Sequence, residues 1–249
     1  MNPLKNAILA ALPSDDYQAL LPKLALVSLH RGQTLFEVGD VPAHVHFPVG
    51  AIISMMNDLP DGQGIEVHML GNTCMVGVAA IDCPSFYRAS VRLAGLAYRL
   101  EISELRLLRE RCPAYFAEAQ KRTGLLMSHI SQRLVCVKHH SMEQQLIRWM
   151  MLMLDRQLDN TIHVTHDELS SLHGIRREAV TLALGNLAKQ GLVSQQRGMI
   201  QVLDRSALET ISCGCYWSAL GKAHPEPAYN SGALKRAQHR EIPKASAEL

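Results

Sequence analysis

The sequence predicts an α+β protein in three successive parts: a β-rich first half, one long helix, and a compact, mainly helical C-terminal half. Three changes of texture along the 249 residues carry this reading. From Leu24 to Leu100, brief runs rich in Val, Ile and Leu are punctuated by Arg31-Gly32, Val38-Gly39-Asp40, Val49-Gly50, Asp61-Gly62, Leu70-Gly71 and Ala94-Gly95. Turn signals at such short intervals indicate an antiparallel sandwich or barrel, since parallel strands need crossover helices between them. After Pro113 a stretch without proline runs to His140, and beyond Met142 apolar residues recur mostly at helical spacing.

Composition bounds what the chain can be. Hydrophobic residues at 47% and charged residues at 19% are globular values, which excludes disorder for most of the chain, and 11 Met supply volume that the sparse aromatics do not. No apolar run approaches a membrane span, and Met1 to Leu12 carries Lys5 but no secretory core with a cleavage site, so a cytoplasmic protein is expected. The six cysteines, Cys74, Cys83, Cys112, Cys136, Cys213 and Cys215, are then expected as thiols or ligands and not as a disulfide framework. The net charge of +2 resides in the last 29 residues, which hold five bases and three acids; the rest holds 20 of each. Any binding of nucleic acid by the folded part must therefore come from a local patch.

The elements follow in order. Leu4, Ile8 and Leu12 mark a short helical preamble, and Ser14-Asp15-Asp16 can cap a second short helix over Tyr17 to Leu21. In the long helix Met127, Ile130, Leu134 and Val137 recur at spacings of 3, 4 and 3, a coiled-coil type seam that favours a second chain over a core-facing helix in a monomer. Met142 to about Leu158 is apolar on nearly every side and should be buried. Thr165 followed by Glu168 is a capping box opening a helix with Leu169 and Leu172 inward. Gly174 permits a sharp turn, and a second helix begins near Arg176 with Val180, Leu184 and Leu187 on its inner face, which together make a helix-turn-helix.

Removing the inward positions leaves Arg176, Arg177, Glu178 and Thr181 at the exposed N-terminal end of that second helix, where a recognition helix meets base edges. Arg can donate twice to guanine, Glu can accept from cytosine N4, and Thr can bond a base or touch the thymine methyl. Gly191 to Leu203 reads as two alternating strands joined at Arg197-Gly198, a wing whose Arg197 is placed for the phosphate backbone; Thr165 joins the set of DNA-binding candidates. Past Gly221 the chain turns Pro-, Ala- and Lys-rich and reads as a mobile tail.

These residues carry a resemblance. A β-rich domain, a dimer-type helix and a winged helix-turn-helix, in that order over about 220 residues, resemble the Crp/Fnr family of bacterial transcription regulators. Arg31-Gly32 through Gly39-Asp40 is similar to an early strand and turn of the family's cyclic-nucleotide-binding-like jelly roll; His46-Phe47-Pro48-Val49-Gly50, Gly71 through Met75-Val76-Gly77, Cys136 through His140, Arg148-Trp149, Gly174 through Arg177, Val180-Thr181 and Cys213-Gly214-Cys215-Tyr216 resemble one subgroup. The resemblance implies an antiparallel β jelly roll sensor over 1–112, a dimerisation helix over 113–140, a winged helix-turn-helix over 141–220 and a tail over 221–249. It implies a homodimer on double-stranded DNA, with RNA polymerase as a further contact and no membrane partner.

It also implies an effector pocket, for which the corresponding positions are Glu66, Gly77, Val78, Arg88 and Ser90. Cyclic-AMP-binding relatives place a Glu on the ribose and an Arg-Ser pair on the phosphate; here Val78 stands at the first, and an ungapped count back from Glu101-Ile102-Ser103 puts Tyr87-Arg88 at the second. Valine cannot accept from a ribose hydroxyl, and leaving that hydroxyl unpaired costs about 1–3 kcal/mol, which argues against cyclic AMP. Arg88 or Arg92 is available to another anion. The family's N-terminal iron–sulfur cysteines have no counterpart before Cys74, and no spacing among His44, His46, His68 and Cys74 singles out a haem pair. Leu182 stands where cyclic-AMP-responsive relatives carry an Arg, so the preferred DNA sequence need not be theirs. Cofactor and effector are left unknown.

Three alternatives are weighed. Cys136, His139, Cys213 and Cys215 could converge on a zinc or act as a redox pair, giving a metal- or redox-responsive regulator. The helix-turn-helix could serve a sensor or scaffold with no specific DNA site, against which Arg176, Arg177 and Arg197 argue. An enzyme is not expected: His166-Asp167 and Ser170-Ser171 lie on one short capped helix, with no nucleophile elbow or phosphate-cradling loop.

Overall fold

A computed structural model describes residues 2–60, 63–77, 83–111 and 113–222. The tail read from 221 onward thus lies, from 223, outside the described residues, as do Val78, Cys112 and the Asp61-Gly62 turn. Helices α1 (Ala7–Ala10) and α2 (Ser14–Leu20) precede seven strands: β1 (Ala25–Leu29), β2 (Thr34–Phe36), β3 (His44–Pro48), β4 (Ile52–Asp58), β5 (Gly64–Leu70), β6 (Arg88–Leu93) and β7 (Gly95–Glu101). They form two antiparallel sheets, ordered β1-β7-β3 and β2-β6-β4-β5, the jelly roll expected. Helix α3 (Ile102–Arg111), which the periodicity had not shown, leads into the long helix α4 (Pro113–His139).

The C-terminal half comprises α5 (Met142–Leu154), β8 (Thr161–His163), α6 (His166–His173), α7 (Arg177–Lys189), β9 (Val193–Gln196), β10 (Met199–Val202), α8 (Arg205–Ile211) and α9 (Gly214–Ala219). The wing has three strands, ordered β8-β10-β9, where the sequence reading expected two. Its extra strand is only three residues long, too short to show a period, and is recognised by its pairing to β10 through Ile162 opposite Ile200. Helix α5 stops at Leu154, short of Leu158, and every residue from Leu146 to Leu154 is buried, as its all-round apolarity required.

Strand alternation assigns the roll two jobs. Ile53, Leu70, Ala89 and Val91 pack inside the roll with Phe36, Val76 and Tyr87. Neighbouring Ile52 and Met56, with Met69, instead join the core made by α5, α6, α7 and the wing, around Trp149, Leu169, Leu172, Val180 and Leu184. The outer face of the β4–β5 pair is therefore the seat of the C-terminal half. A third cluster packs Ile8, Leu9 and Leu20 against Phe47, Leu100, Leu105 and Tyr115, tying the N-terminal helices and the start of α4 to the β3–β7 sheet.

A polar junction lies within this seat. The Glu66 carboxylate, 2% exposed, accepts from the Trp149 indole N–H at 2.8 Å and from the Ser54 hydroxyl. Its charge offsets part of the burial cost of the Arg133 and Arg156 guanidiniums. Near it, the His173 Nδ1–H donates to the Leu169 carbonyl at 3.0 Å, and burial, with the adjacent Arg133 charge, pushes its pKa down to about 3. His46, buried in β3 beside His44 and Arg99, is pushed down to about 4, chiefly by burial.

Two outcomes follow from this packing. Glu66→Ala strands a buried indole N–H and uncovers buried guanidinium charge, so it should lower the unfolding free energy by about 2–4 kcal/mol in urea denaturation; a loss below about 0.5 kcal/mol would contradict the junction. The folded protein holds His46 and His173 neutral while the unfolded chain takes up protons near pH 6.5. Stability should therefore be full above about pH 6.5 and fall towards pH 4, each histidine adding about 1.4 kcal/mol per pH unit to the slope. His173→Gln should flatten that slope, and superimposable pH profiles for variant and parent would show that His173 does not contribute.

Candidate nucleic-acid interface

The interface is built around two helix ends. Thr165 caps α6: its hydroxyl accepts from the Glu168 N–H at 3.1 Å, and the Glu168 carboxylate accepts from the Thr165 N–H at 2.7 Å. The same carboxylate takes two bonds from the Arg31 guanidinium, at 2.7 and 2.8 Å, and one from Arg92 at 3.2 Å. Burial raises the Glu168 pKa, but the Thr165 N–H and the two guanidiniums outweigh it and hold the carboxyl below its ordinary range. One side chain thus starts α6 and clamps it to the roll.

Helix α6 ends at Gly174, whose φ of 65° is left-handed and whose missing Cβ leaves room for Ile65 of β5; a Cβ there would lie 2.5 Å from the Ile65 methyl. The turn of the helix-turn-helix is in this way pressed against the roll. Arg176 then forms the N-cap of α7 with extended backbone. Val180, Ala183, Leu184 and Leu187 are buried along one side of α7, while Arg176, Arg177, Glu178, Thr181 and Leu182 are exposed on the other, Leu182 at 67%.

The exposed set is partly pre-arranged. Arg177 lies 3.4 Å from Asp167 of α6, a solvated pair worth little in stability that limits where the guanidinium rests. The exposed Thr181 donates through its hydroxyl to the Arg177 carbonyl at 3.1 Å. His166 bridges recognition helix and wing, with Nδ1 2.9 Å from the Thr181 hydroxyl and Nε2 3.0 Å from Gln195 Oε1 on β9. Arg197 is exposed at the β9–β10 turn beside Gly198. Sequence reasoning missed Asp167, His166 and Gln195 as parts of this face. Asp167 reads as an ordinary first-turn acid, and the His166 bridge depends on a strand 29 residues away.

The other expected sets are distributed differently. Along α4, Met127 is 66% exposed, Leu134 64% and Val137 45%, with Ile130 half-buried. Among the described residues, Glu66, Arg88 and Ser90 each have partners within the sheets. Glu66 is committed to Trp149 and Ser54; Arg88 to Asp58 at 2.6 and 3.1 Å and to Glu37 at 3.7 Å; Ser90 stands opposite Ser54 and Thr34 in the sheet. Gly77 backs onto the His44 carbonyl. An apolar cavity opens instead between β5 and α4, lined by His68, Leu70, Cys74, Met75, Leu126 and His129. The cysteine set does converge, with one correction: His139 is exposed on α4, and His140 takes the place expected of it, its Nδ1 3.4 Å from Cys215 Sγ.

No helix among the described residues is long and apolar enough to cross a membrane. Residues 144–211 match the family of the Crp-like helix-turn-helix domain. A search of curated proteins by sequence finds no match. Many solved structures share the fold. A transcriptional regulator of the Crp/Fnr family from Eubacterium rectale superposes with a TM-score of 0.64 at 16% identity, covering 84% of this chain and 97% of that one. FixK2 from Bradyrhizobium japonicum gives 0.63 at 13%, covering 76% and 98%. A CRP-family transcriptional regulator from Thermus thermophilus gives 0.63 at 18%, covering 81% and 100%. Residues 144–211 thus carry a Crp-like helix-turn-helix domain, and the chain as a whole has the fold shared by those regulators.

Proposed function

We propose that the protein is a homodimeric, sequence-specific DNA-binding transcription regulator in which the jelly roll sets the pose of the winged helix. The observation that carries this is the division of α7: one side fully buried, the other presenting Arg176, Arg177, Glu178, Thr181 and Leu182 to solvent beside the Arg197 wing. Because the folded part is formally neutral, a few exposed cations on one face supply the phosphate contact that bulk charge does not. Arg176 and Arg177 are the base-reading candidates, Glu178 and Thr181 refine them, and Thr165 and Arg197 position the backbone.

Pairing of two chains is supported by the exposed apolar row Met127, Leu134 and Val137, which a helix in a solitary monomer would leave in water at about 25 cal/mol per Å². In a two-fold dimer, two α7 helices would read half-sites about one helical turn apart. The cavity between β5 and α4 is where a small molecule would press on the long helix directly; Arg88, held by Asp58 and Glu37, is not free to receive a cyclic phosphate. Contact with RNA polymerase is part of the same reading, as is a cytoplasmic location.

On a cognate duplex, Arg177→Ala should cost about 1–3 kcal/mol and relax one base preference, whereas Arg197→Ala should weaken all sequences alike and flatten the salt slope by about one. Equal losses on every sequence would refute that division, and unchanged affinity in both would refute the interface. Leu134→Glu combined with Met127→Glu should yield monomers in sedimentation and lower DNA affinity by at least about a hundredfold. A dimer of unchanged mass would contradict the α4 seam.

A further inference from the structure

At the joint between the long helix and the C-terminal half, four potential ligands from two distant segments meet. Cys136 lies in the last turns of α4, and the His140 N–H donates to the Cys136 carbonyl at 3.0 Å, so helical spacing carries the imidazole to the same side one turn later. Cys213 is the N-cap of α9 and Cys215 lies in its first turn, with Gly214 between them. Their ligating atoms all lie within 4.8 Å of one another; Cys136 Sγ is 3.9 Å from Cys213 Sγ, and Cys215 Sγ is 3.4 Å from His140 Nδ1.

These separations select the chemistry. A tetrahedral ion with zinc-like bonds places sulfur ligands about 3.8 Å apart and sulfur and nitrogen about 3.5 Å apart. A disulfide would need its sulfurs at about 2.05 Å. The three cysteines are buried and pack with one another, separate from the three apolar cores, although apolar side chains would fill such a position with less polarity. A side-chain amide lies against one of the sulfurs. Gln132 donates to Cys215 Sγ at 3.0 Å, and the Ser218 hydroxyl holds Gln132 at 3.3 Å.

We propose that Cys136, His140, Cys213 and Cys215 form a closed Cys3His site for a zinc-type divalent cation, clipping the end of α4 to the end of the winged-helix domain. Three thiolates and an imidazole complete a tetrahedron with no position left for substrate, so the ion is structural and its uptake releases the protons still on the thiols. It bridges α4 and α9 across the 140–141 connection from which α5 departs, and so fixes the direction in which the helix-turn-helix leaves the long helix. The consequence for DNA rests on the function proposed above; the site itself does not, and it is tested without DNA.

The test is metal analysis of the full chain purified without chelator, followed by exchange into Co(II). The expected result is about one zinc per chain, and a Co(II) form with strong near-ultraviolet thiolate charge transfer and tetrahedral bands in the red. Cys213→Ser and His140→Gln should lose the stoichiometric ion, with folding of each checked by circular dichroism, whereas His139→Gln and Cys74→Ser should keep it. Gln132→Ala should keep the Co(II) spectrum but bind zinc about 10–100-fold more weakly. Parent protein that neither retains zinc nor binds added Zn(II) or Co(II) would overturn the site. So would a Co(II) spectrum without thiolate bands, iron–sulfur absorption, or a Cys136–Cys213 disulfide as the resting form. If the ion is present and DNA binding is absent, the regulator reading fails and the site stands.

Discussion

The carboxylate of Glu66 is the constraint on which the arrangement of the two halves depends. A buried, ionisable group is tolerated only where partners repay its loss of water, and here they come from both halves: Ser54 from the roll, Trp149 from the first helix beyond the long one, with buried guanidiniums nearby. Around it Ile52, Met56 and Met69 give the outside of a sheet the character of a core. A sheet face of this kind cannot stand in water, so the C-terminal half has one place to sit.

From that seat the rest of the interface is positioned by few side chains. Glu168 links the start of the first helix of the helix-turn-helix to Arg31 and Arg92 of the roll, and Gly174 lets the turn approach Ile65. The recognition helix and wing are joined to each other through His166 instead. The contacts that hold α6 to the roll, through Glu168 and Gly174, are thus distinct from those that join α7 to the wing through His166.

Much of this was legible in the sequence because it is local. The Thr165–Glu168 capping box, the turn at Gly174, the inward run Val180, Leu184 and Leu187, and the apolar stretch from Leu146 to Leu154, broken by Arg148, are each set by neighbours within a few residues. What escaped it is non-local. Glu66 reads as a pocket residue until Trp149, 83 positions later, is placed against it, and the third wing strand exists only through its pairing with β10. The choice between His139 and His140 turns on which side of the helix meets Cys215, a fact that two adjacent histidines cannot reveal by themselves.

The central claim is that the exposed side of α7 reads DNA as one half of a two-fold pair. The most direct measurement is selection of bound sequences from a random duplex pool by the purified protein, with and without an added small-molecule extract from bacterial cytoplasm. The account predicts an enriched motif with two-fold symmetry and half-sites about 10 base pairs apart in at least one of the two conditions. No enrichment in either, or a motif with a single half-site, would contradict it.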